Sequence, residues 1–138
     1  MNKCVVAIIF ASLTFLSGLC LQGCSRTAEN QEIQRAQDEI MESISQAMNA
    51  TPVSFSDRKE PTDYFRPECT SEGILLDKVI DVEIKETHIE GETGKMRIRV
   101  VFESYTPLEK SDTYLFNANL RIKSEDGVWH IVAVNPEQ

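Results

Sequence analysis

The side chains best suited to acid–base chemistry in this chain are two histidines, and both lie in segments that alternate polar and apolar residues. His130 lies between two bulky apolar residues, so it faces solvent if those neighbours face a core. His88 lies near a predicted strand end among acidic residues, and we expect it at the surface as well. Asp81 and Glu83 share a polar face with arginines of later strands, and cross-strand ion pairing accounts for them without catalysis.

Nucleophilic and metal chemistry also have little support in the sequence. No glycine-rich phosphate loop and no nucleophile motif occurs, and Tyr114 can line a cavity or fill a core equally well. Two histidines and one thiol beyond residue 24 do not supply the four closely spaced ligands of structural zinc. We therefore expect a protein that is not an enzyme, with no catalytic residues, no metal and no cofactor.

The N-terminal residues have the pattern of an export signal that ends at a cysteine. Lys3 is followed by a long apolar run, and the next charged residue is Arg26. The run is long enough to span a bilayer, so a retained transmembrane helix is the alternative interpretation. It ends, however, in Leu-Gln-Gly-Cys at positions 21–24, which resembles the lipobox of bacterial lipoprotein precursors.

The lipobox resemblance implies a lipid anchor. The thiol of Cys24 would accept a diacylglyceryl group, and a signal peptidase that recognises Leu21 and the small Gly23 would remove residues 1–23. Two or more acyl chains hold a protein stably on a bilayer, whereas one chain holds it only marginally. Because Ser25 rather than aspartate follows the cysteine, we expect the outer membrane of a two-membrane cell, with the domain facing the periplasm.

The mature chain expected after this cleavage is acidic and has the size of one domain. It keeps 13 of the 14 basic residues and all 22 acidic ones, which gives a net charge of −9. That charge argues against nucleic acid as a partner, because phosphate binding needs clustered lysine and arginine. Once Cys24 carries lipid, Cys69 is left without an internal disulfide partner. Its thiol is then either buried or bridged to another molecule.

One amphipathic helix is predicted near the start of the mature chain. A polar tether over 24–30 precedes it, Asn30 is its expected N-cap, and the apolar spacing covers about 31–49. Pro52 cannot continue the helix and restricts the residue before it. The apolar stripe fits a domain core, although such a stripe can also bind a partner helix. Its members are Ile33, Ala36, Ile40, Met41, Ile44, Ala47 and Met48.

Beyond Leu75 the apolar period changes to two, which predicts four sequential antiparallel strands. The segment Glu92-Thr93-Gly94 fits a three-residue hairpin loop with its glycine in the left-handed conformation. Asp126-Gly127 is a second hairpin turn signal. A loop at Pro107 separates the middle strands. The expected inward residues are Ile80, Val82, Ile84 and Ile89, then Met96, Ile98, Val100 and Phe102, then Tyr114, Phe116, Ala118, Leu120 and Ile122.

These elements predict a single α+β domain over 31–138, with an N-terminal amphipathic helix packed on a curved four-stranded antiparallel meander. The layout resembles the cystatin-like and nuclear-transport-factor-two-like (cone or SnoaL-like) folds. The closing segment 123–131, Lys-Ser-Glu-Asp-Gly-Val-Trp-His-Ile, resembles the end of many small secreted members. Cone-fold enzymes use Asp, His or Tyr in a cavity roofed by about three helices, whereas this sequence predicts one helix. Fold alone does not establish a function.

The segment 52–73 is broken by prolines and carries two adjacent aromatics, Tyr64 and Phe65. One interpretation is that these residues and Phe55 hold the crossing segment on the core. The other is that Tyr64 and Phe65 form a partner-binding edge with an aromatic anchor.

Two functions follow from these expectations. The first is a non-catalytic interaction or accessory module of the cell envelope, anchored to membrane lipid and bound to an envelope protein. Its candidate surface comprises Lys95, Arg97, Arg99, Arg121, Lys123, Tyr64 and Phe65. The alternative is a small-ligand binder with a pocket between helix and sheet, since a pocket needs volume and a few polar groups. Its candidate lining comprises Met48, Phe102, Phe116 and Trp129.

Overall fold

The computed structural model describes residues 27–106 and 109–138. The predicted signal peptide, the lipobox residues Leu21, Gly23 and Cys24, and the predicted loop at Pro107 lie outside the described residues. Among the residues that are described, no helix combines the length and apolar content needed to cross a membrane.

The chain divides into two compact units, Met1–Gln34 and Arg35–Gln138. The described part of the first unit, residues 27–34, is helical, and helical structure continues to residue 48. We name residues 27–48 α1. The predicted tether is therefore helical from residue 27, and Asn30 lies inside the helix instead of capping it. Alanine and glutamate at positions 28 and 29 are good helix formers, which explains the earlier start.

The C-terminal end of α1 is capped by an asparagine. The backbone N–H of Asn49 donates to Ser45 O at 3.1 Å, and its side-chain Nδ2 donates to the same carbonyl at 2.9 Å. These bonds satisfy a carbonyl that the last turn of a helix leaves without a partner. The predicted end of the helix before Pro52 is confirmed.

The second unit is an α+β domain in which the part of α1 from Arg35 onward packs against an open antiparallel sheet. Within the described residues the sheet has five strands in sequential order. The strands are β1 (Glu68–Cys69), β2 (Leu75–Glu90), β3 (Thr93–Thr106), β4 (Glu109–Glu125) and β5 (Val128–Pro136). The predicted class is confirmed, but the predicted count of four strands is one too few. The additional β1 comes from the segment expected to be irregular and pairs with β2 through a tight turn at Gly73, whose φ is +86°.

The core lies between the second half of α1 and one face of the sheet. Trp129, Ile40, Ile98 and Leu120 are at most 1% exposed. Removing such side chains from water is the main favourable contribution to folding, on the order of 1.5–3 kcal/mol each. The helix contributes Ala36, Ile40, Ile44 and Ala47; the sheet contributes Val79, Val82, Met96, Ile98, Val100, Ala118, Leu120, Ile122, Trp129 and Ile131.

Two β-bulges change the pattern predicted for β2. The register to β3 shifts between Val79 and Asp81 and again between Ile84 and Glu86. Ile80 is the extra residue of the first bulge and is 41% exposed, while Val79 is 2% exposed. Because a bulge shifts the side-chain alternation by one residue, the prediction that Ile80 faces inward is wrong.

The two hairpins use different turns. Glu90 pairs with Thr93, and Gly91 has a φ of +62°, so the β2–β3 turn has two residues with glycine first, as type II′ turns require. Gly94 is a strand residue, and the predicted three-residue loop is wrong. The predicted turn at Asp126-Gly127 is confirmed, with φ values of +52° and +79° that a type I′ turn requires.

The segment between α1 and β1 is held by a buried aspartate. Asp63 Oδ2 accepts the backbone N–H groups of Lys59 at 2.8 Å and Glu60 at 3.0 Å, at the start of the 3-10 turn Pro61–Phe65. These bonds, together with Arg66, hold the Asp63 pKa below its ordinary value despite burial. Phe65 then enters the core, fully buried.

Candidate functional site

The five predicted basic residues lie on the solvent-facing side of the sheet. β3 carries Lys95, Arg97 and Arg99, and β4 carries Arg121 and Lys123. Each is out of phase with the buried residues of its own strand, because side chains alternate between the two faces of a sheet. Lys95 is the direct cross-strand partner of Arg121.

Acidic residues neutralise one part of this face. Arg99 donates to Glu83 Oε2 at 2.6 Å, and Lys85 lies 3.0 Å from the other oxygen of Glu83. Arg97 forms a two-pronged pair with Glu137, with Nε–Oε1 and Nη2–Oε2 distances of 3.0 and 3.2 Å. The hydrogen bond from Lys85 and the charge of Arg99 lower the pKa of Glu83. These arginines therefore already have carboxylate partners.

The other part, which we name the basic end, comprises Lys95, Arg121 and Lys123. Lys123 lies 3.6 Å from Glu125, but neither Lys95 nor Arg121 forms an ion pair with any described residue. Two shallow depressions of about 510 and 780 Å³ adjoin here, and both contain Lys95 and Arg121 in their lining. Two opposed like charges destabilise a sheet, and the nearest acidic influence on this pair is Glu90, whose pKa the charge of Lys95 helps to lower.

The histidines border the basic end. His88 pairs across the sheet with Lys95, and His130 pairs with Lys123. The His88 Nε2 atom lies 3.0 Å from Glu90 Oε1, and both side chains are largely exposed. Their hydrogen bond lowers the pKa of Glu90. The bulge in β2 turns His88 to the outer face, which its parity in the sequence did not indicate.

Aromatic side chains form a second feature, at the end of the sheet where β1 lies. The rings of Tyr64 and Phe102 meet edge to face at 5.9 Å, and those of Phe102 and Phe116 at 5.8 Å. With Tyr114 and Asp77 they line a groove of about 390 Å³. We name this feature the aromatic groove. Such arrangements bind apolar or cationic groups.

The structure divides the predicted pocket residues between this groove and the core. Phe102 and Phe116 line the groove, whereas Trp129 is 1% exposed within the core and Met48 packs against the core cluster. The groove is formed by the sheet and the 3-10 turn. The prediction that Trp129 lines one pocket with Phe102 and Phe116 is therefore wrong, because Trp129 is buried in the core. Trp129 packs inward because its strand parity places it under α1.

The predicted aromatic surface is also divided. Tyr64 borders the groove, and partial burial raises its pKa above the ordinary tyrosine value. Phe65, its neighbour, is fully buried and meets Tyr64 edge to face at 5.2 Å. The prediction that Phe65 belongs to a partner-binding surface is therefore wrong. Phe65 instead holds the crossing segment on the core, which was the alternative interpretation of these aromatic residues. Phe55 does not take part, since it is 76% exposed.

Asp77 is a groove residue that sequence reasoning did not identify. It pairs across the sheet with Glu68, and burial together with the Glu68 carboxylate raises the Asp77 pKa, although Arg58 opposes this shift. The signal that was available is the position of two acidic residues on either side of a short turn. Cys69, beside Glu68, is a free, half-buried thiol. Within the described ranges, no three His, Cys, Asp or Glu side chains converge on a metal position.

No known protein family matches this chain, and no curated protein aligns with it.

Proposed function

We propose that this chain is a lipid-anchored bacterial lipoprotein that acts as a non-catalytic interaction module of the cell envelope. It binds an envelope protein through the basic end of its sheet. The observation that carries the proposal is the pair Lys95 and Arg121, opposed on an exposed face without an ion pair in the described part of the chain. The lipobox sequence at 21–24 supports the anchor. The destination that we propose is the outer membrane, with the domain in the periplasm.

The chemistry of the basic end favours an acidic partner surface. Arginine binds carboxylates through two parallel hydrogen bonds, and lysine adds a mobile point charge. Because the rest of the mature chain is strongly acidic, these cations also orient the approach of a partner, since charge complementarity mainly affects specificity and association rate. The sheet holds both side chains on rigid strands, which lowers the entropy lost on binding.

We further propose that the domain is a cystatin-like or cone-like variant. The support is one helix packed on a sequential antiparallel meander. This resemblance carries no function by itself.

The test is co-purification from membranes in mild detergent, with quantitative recovery of associated proteins. The Lys95→Glu/Arg121→Glu variant should lose the partner, because two attractive charges become repulsive. The matched control is Lys85→Glu, which makes the same change at a lysine already paired with Glu83. Partner recovery that is unchanged in the double variant would contradict the proposed surface.

The anchor has its own control. The Cys24→Ala variant should be released from the membrane, because the acyl chains provide the attachment. A variant that stays in the membrane would instead mean that the N-terminal apolar run is retained as a transmembrane helix.

A second candidate function, small-ligand binding, is favoured by the aromatic groove. Phe102 and Phe116 present ring faces and edges beside the Asp77 carboxyl group. Titration with an apolar fluorescent dye tests it, and Phe116→Ala should weaken dye binding. Equal dye binding by the wild type and this variant would exclude the groove as the dye site.

A further inference from the structure

We propose that the open edge of β4 binds an extended, lysine- or arginine-bearing segment of an envelope protein by strand addition, with inward side chains of that segment entering the aromatic groove. This inference rests on the proposed function as an interaction module and adds a second contact surface, at the opposite end of β3 and β4 from the basic end.

The first support is an unpaired stretch of backbone in β4. The strand covers Glu109–Glu125, but its pairing with β5 begins only at Ala118. Just before that point, the backbone N–H of Glu137 donates to Asn117 O at 2.9 Å. The β4 edge before Asn117 is next to no other strand of the described chain.

The direction of these backbone groups follows from that one bond. The N–H and C=O of a strand residue point to the same side, and this side alternates along the strand. Since Asn117 O faces the β5 side, the backbone groups of Leu115 and Thr113 face the open edge. Those of Tyr114 and Phe116 face β3. Thr113 and Leu115 therefore present donors and acceptors in the arrangement that an added strand needs.

The second support is the composition of the edge. Tyr114, Leu115 and Phe116 are 47%, 56% and 47% exposed, and they form an uncharged apolar run. Exposed edges are usually blunted by charge, proline or bulges, because they otherwise pair with other chains. A run of this kind on an open edge indicates that a partner covers it.

Both faces of the sheet at the β4 edge carry apolar side chains that the side chains of an added strand could contact. On the inner face, Tyr114 and Phe116 lead into the aromatic groove with Phe102. On the outer face, Leu115 lies across from Val101. An added strand alternates its side chains between these two faces, so alternate apolar residues would continue both surfaces.

The acidic residues near the β4 edge favour a cationic partner segment over a second copy of this chain. Asp77, Ser104 and Asp112 lie in one cross-strand row. Asp77 and Ser104 line the groove, and Asp112 continues the row at the open edge, so the row carries two acidic residues. Arg58 attracts Asp77, but burial and Glu68 outweigh it. A segment that brings a cation to this row is therefore favoured. A second copy is disfavoured, because its edge would bring another Asp112 and the mature chain carries a charge of −9.

The experiment uses the full-length protein in mild detergent and a synthetic capped peptide that alternates lysine with valine and phenylalanine. Fluorescence anisotropy measures the affinity, and amide hydrogen exchange measures protection. Binding should slow exchange at Thr113 and Leu115, whereas Tyr114 and Phe116 should already be protected by β3. The counterpart peptide with glutamate in place of lysine should bind at least ~10-fold more weakly.

Thr113→Pro removes an edge N–H without removing a bond to β3, since proline is tolerated on strand edges. It should weaken peptide binding by at least ~10-fold, while the matched Thr113→Val keeps the N–H and the affinity. If the proline variant does not fold, Leu115→Lys provides the second test, because its charge repels the lysine peptide at the same edge.

Three results would overturn strand addition of a cationic segment. They are equal affinity for the two peptides, equal affinity of Thr113→Pro and the wild type for the lysine peptide, and exchange protection confined to strands other than β4. A concentration-dependent dimer that Thr113→Pro abolishes would replace the partner with a second copy. Failure of the proposed function is separate, since it is measured by partner recovery with Lys95→Glu/Arg121→Glu, which leaves the β4 edge unchanged.

Discussion

Glu39 on α1 and Trp129 on β5 are joined by a hydrogen bond, in which the backbone N–H of Trp129 donates to Glu39 Oε2 over 2.7 Å. One turn earlier on the helix, Arg35 Nη1 donates to Gly127 O over 2.7 Å. The two contacts tie the helix to the β4–β5 hairpin at the residue whose side chain fills the core. They fix which turn of α1 lies over which strand, something that apolar packing alone specifies less sharply.

Replacement of Glu39 should therefore destabilise the domain. We expect Glu39→Ala to lower the free energy of unfolding by about 1–2 kcal/mol, since hydrogen bonds to charged groups contribute in this range. Urea unfolding measures the change. Glu42→Ala is the matched control, because Glu42 lies on the exposed side of the same helix, and its effect should stay within about 0.5 kcal/mol. Equal effects of the two variants would show that the contact to Trp129 contributes nothing.

Asp63 should stabilise the domain in a pH-dependent way. Its pKa is lowered by the backbone N–H groups of Glu60 and Lys59. A lowered folded-state pKa gives stability that is complete above the ordinary aspartate value and is lost as the pH falls through the folded-state value. Asp63→Asn should cost about 1–2 kcal/mol at neutral pH, and the difference from the wild type should shrink below about pH 4. A difference that stays constant across this range would contradict the assignment.

The contribution of Asp77 to stability should depend on pH in the opposite direction to that of Asp63. Burial and the Glu68 carboxylate raise its pKa, so the folded state binds the proton more tightly than the unfolded state. Stability from this group is then lost as the pH rises from the ordinary aspartate value through the folded-state value. We expect Asp77→Asn to raise the urea midpoint at neutral pH and to have little effect below about pH 4. A lower midpoint at neutral pH would mean that Asp77 gains more from Arg58 than it loses by burial.

Gly94 should resist substitution for steric reasons. A Cβ atom at this position would lie 2.8 Å from His88 O and 3.1 Å from Ile122 Cγ1. Because backbone on one side and a buried side chain on the other must move, Gly94→Ala should cost about 1–3 kcal/mol. The comparison is Gly127→Asn, where an added Cβ atom would meet no atom within 4 Å. Its cost comes only from the positive φ of the type I′ turn, which asparagine tolerates better than other side chains. Thermal unfolding that ranks Gly127→Asn as the more damaging change would contradict this steric explanation.

The basic end should lower the stability of the folded domain while it promotes binding of the envelope partner. Lys95 and Arg121 are directly opposed, so Lys95→Glu replaces a repulsive pair with an attractive one and should stabilise the protein by about 0.2–1 kcal/mol. The same variant should weaken recovery of the envelope partner. Urea unfolding and co-purification measure the two effects on one protein. A variant that is less stable and still binds would contradict both parts of the prediction.

The sequence by itself determined the class of the fold. The three- and four-residue spacing around Ile40 and Ile44 specified a helix, and the period of two around Ile98 and Leu120 specified strands, because these periods place apolar side chains on one face of each element. The turn at Asp126-Gly127 was equally local, since few residue pairs tolerate positive φ at both positions. The sharing of one sheet face by Lys95 and Arg121 also followed from period alone.

Only the tertiary structure decided the rest. The bulges at Ile80 and Lys85 each shifted the side-chain alternation of β2 by one residue, so the predicted parity held only between them. Nothing in the local sequence marks an extra residue in a ladder. Whether Phe65 or Tyr64 reaches the core depends on how the segment before β1 crosses the sheet. The open edge of β4 exists because β5 pairs with only part of a longer neighbour. Each of these features is set by contacts between distant segments, which the pattern of a single segment does not contain.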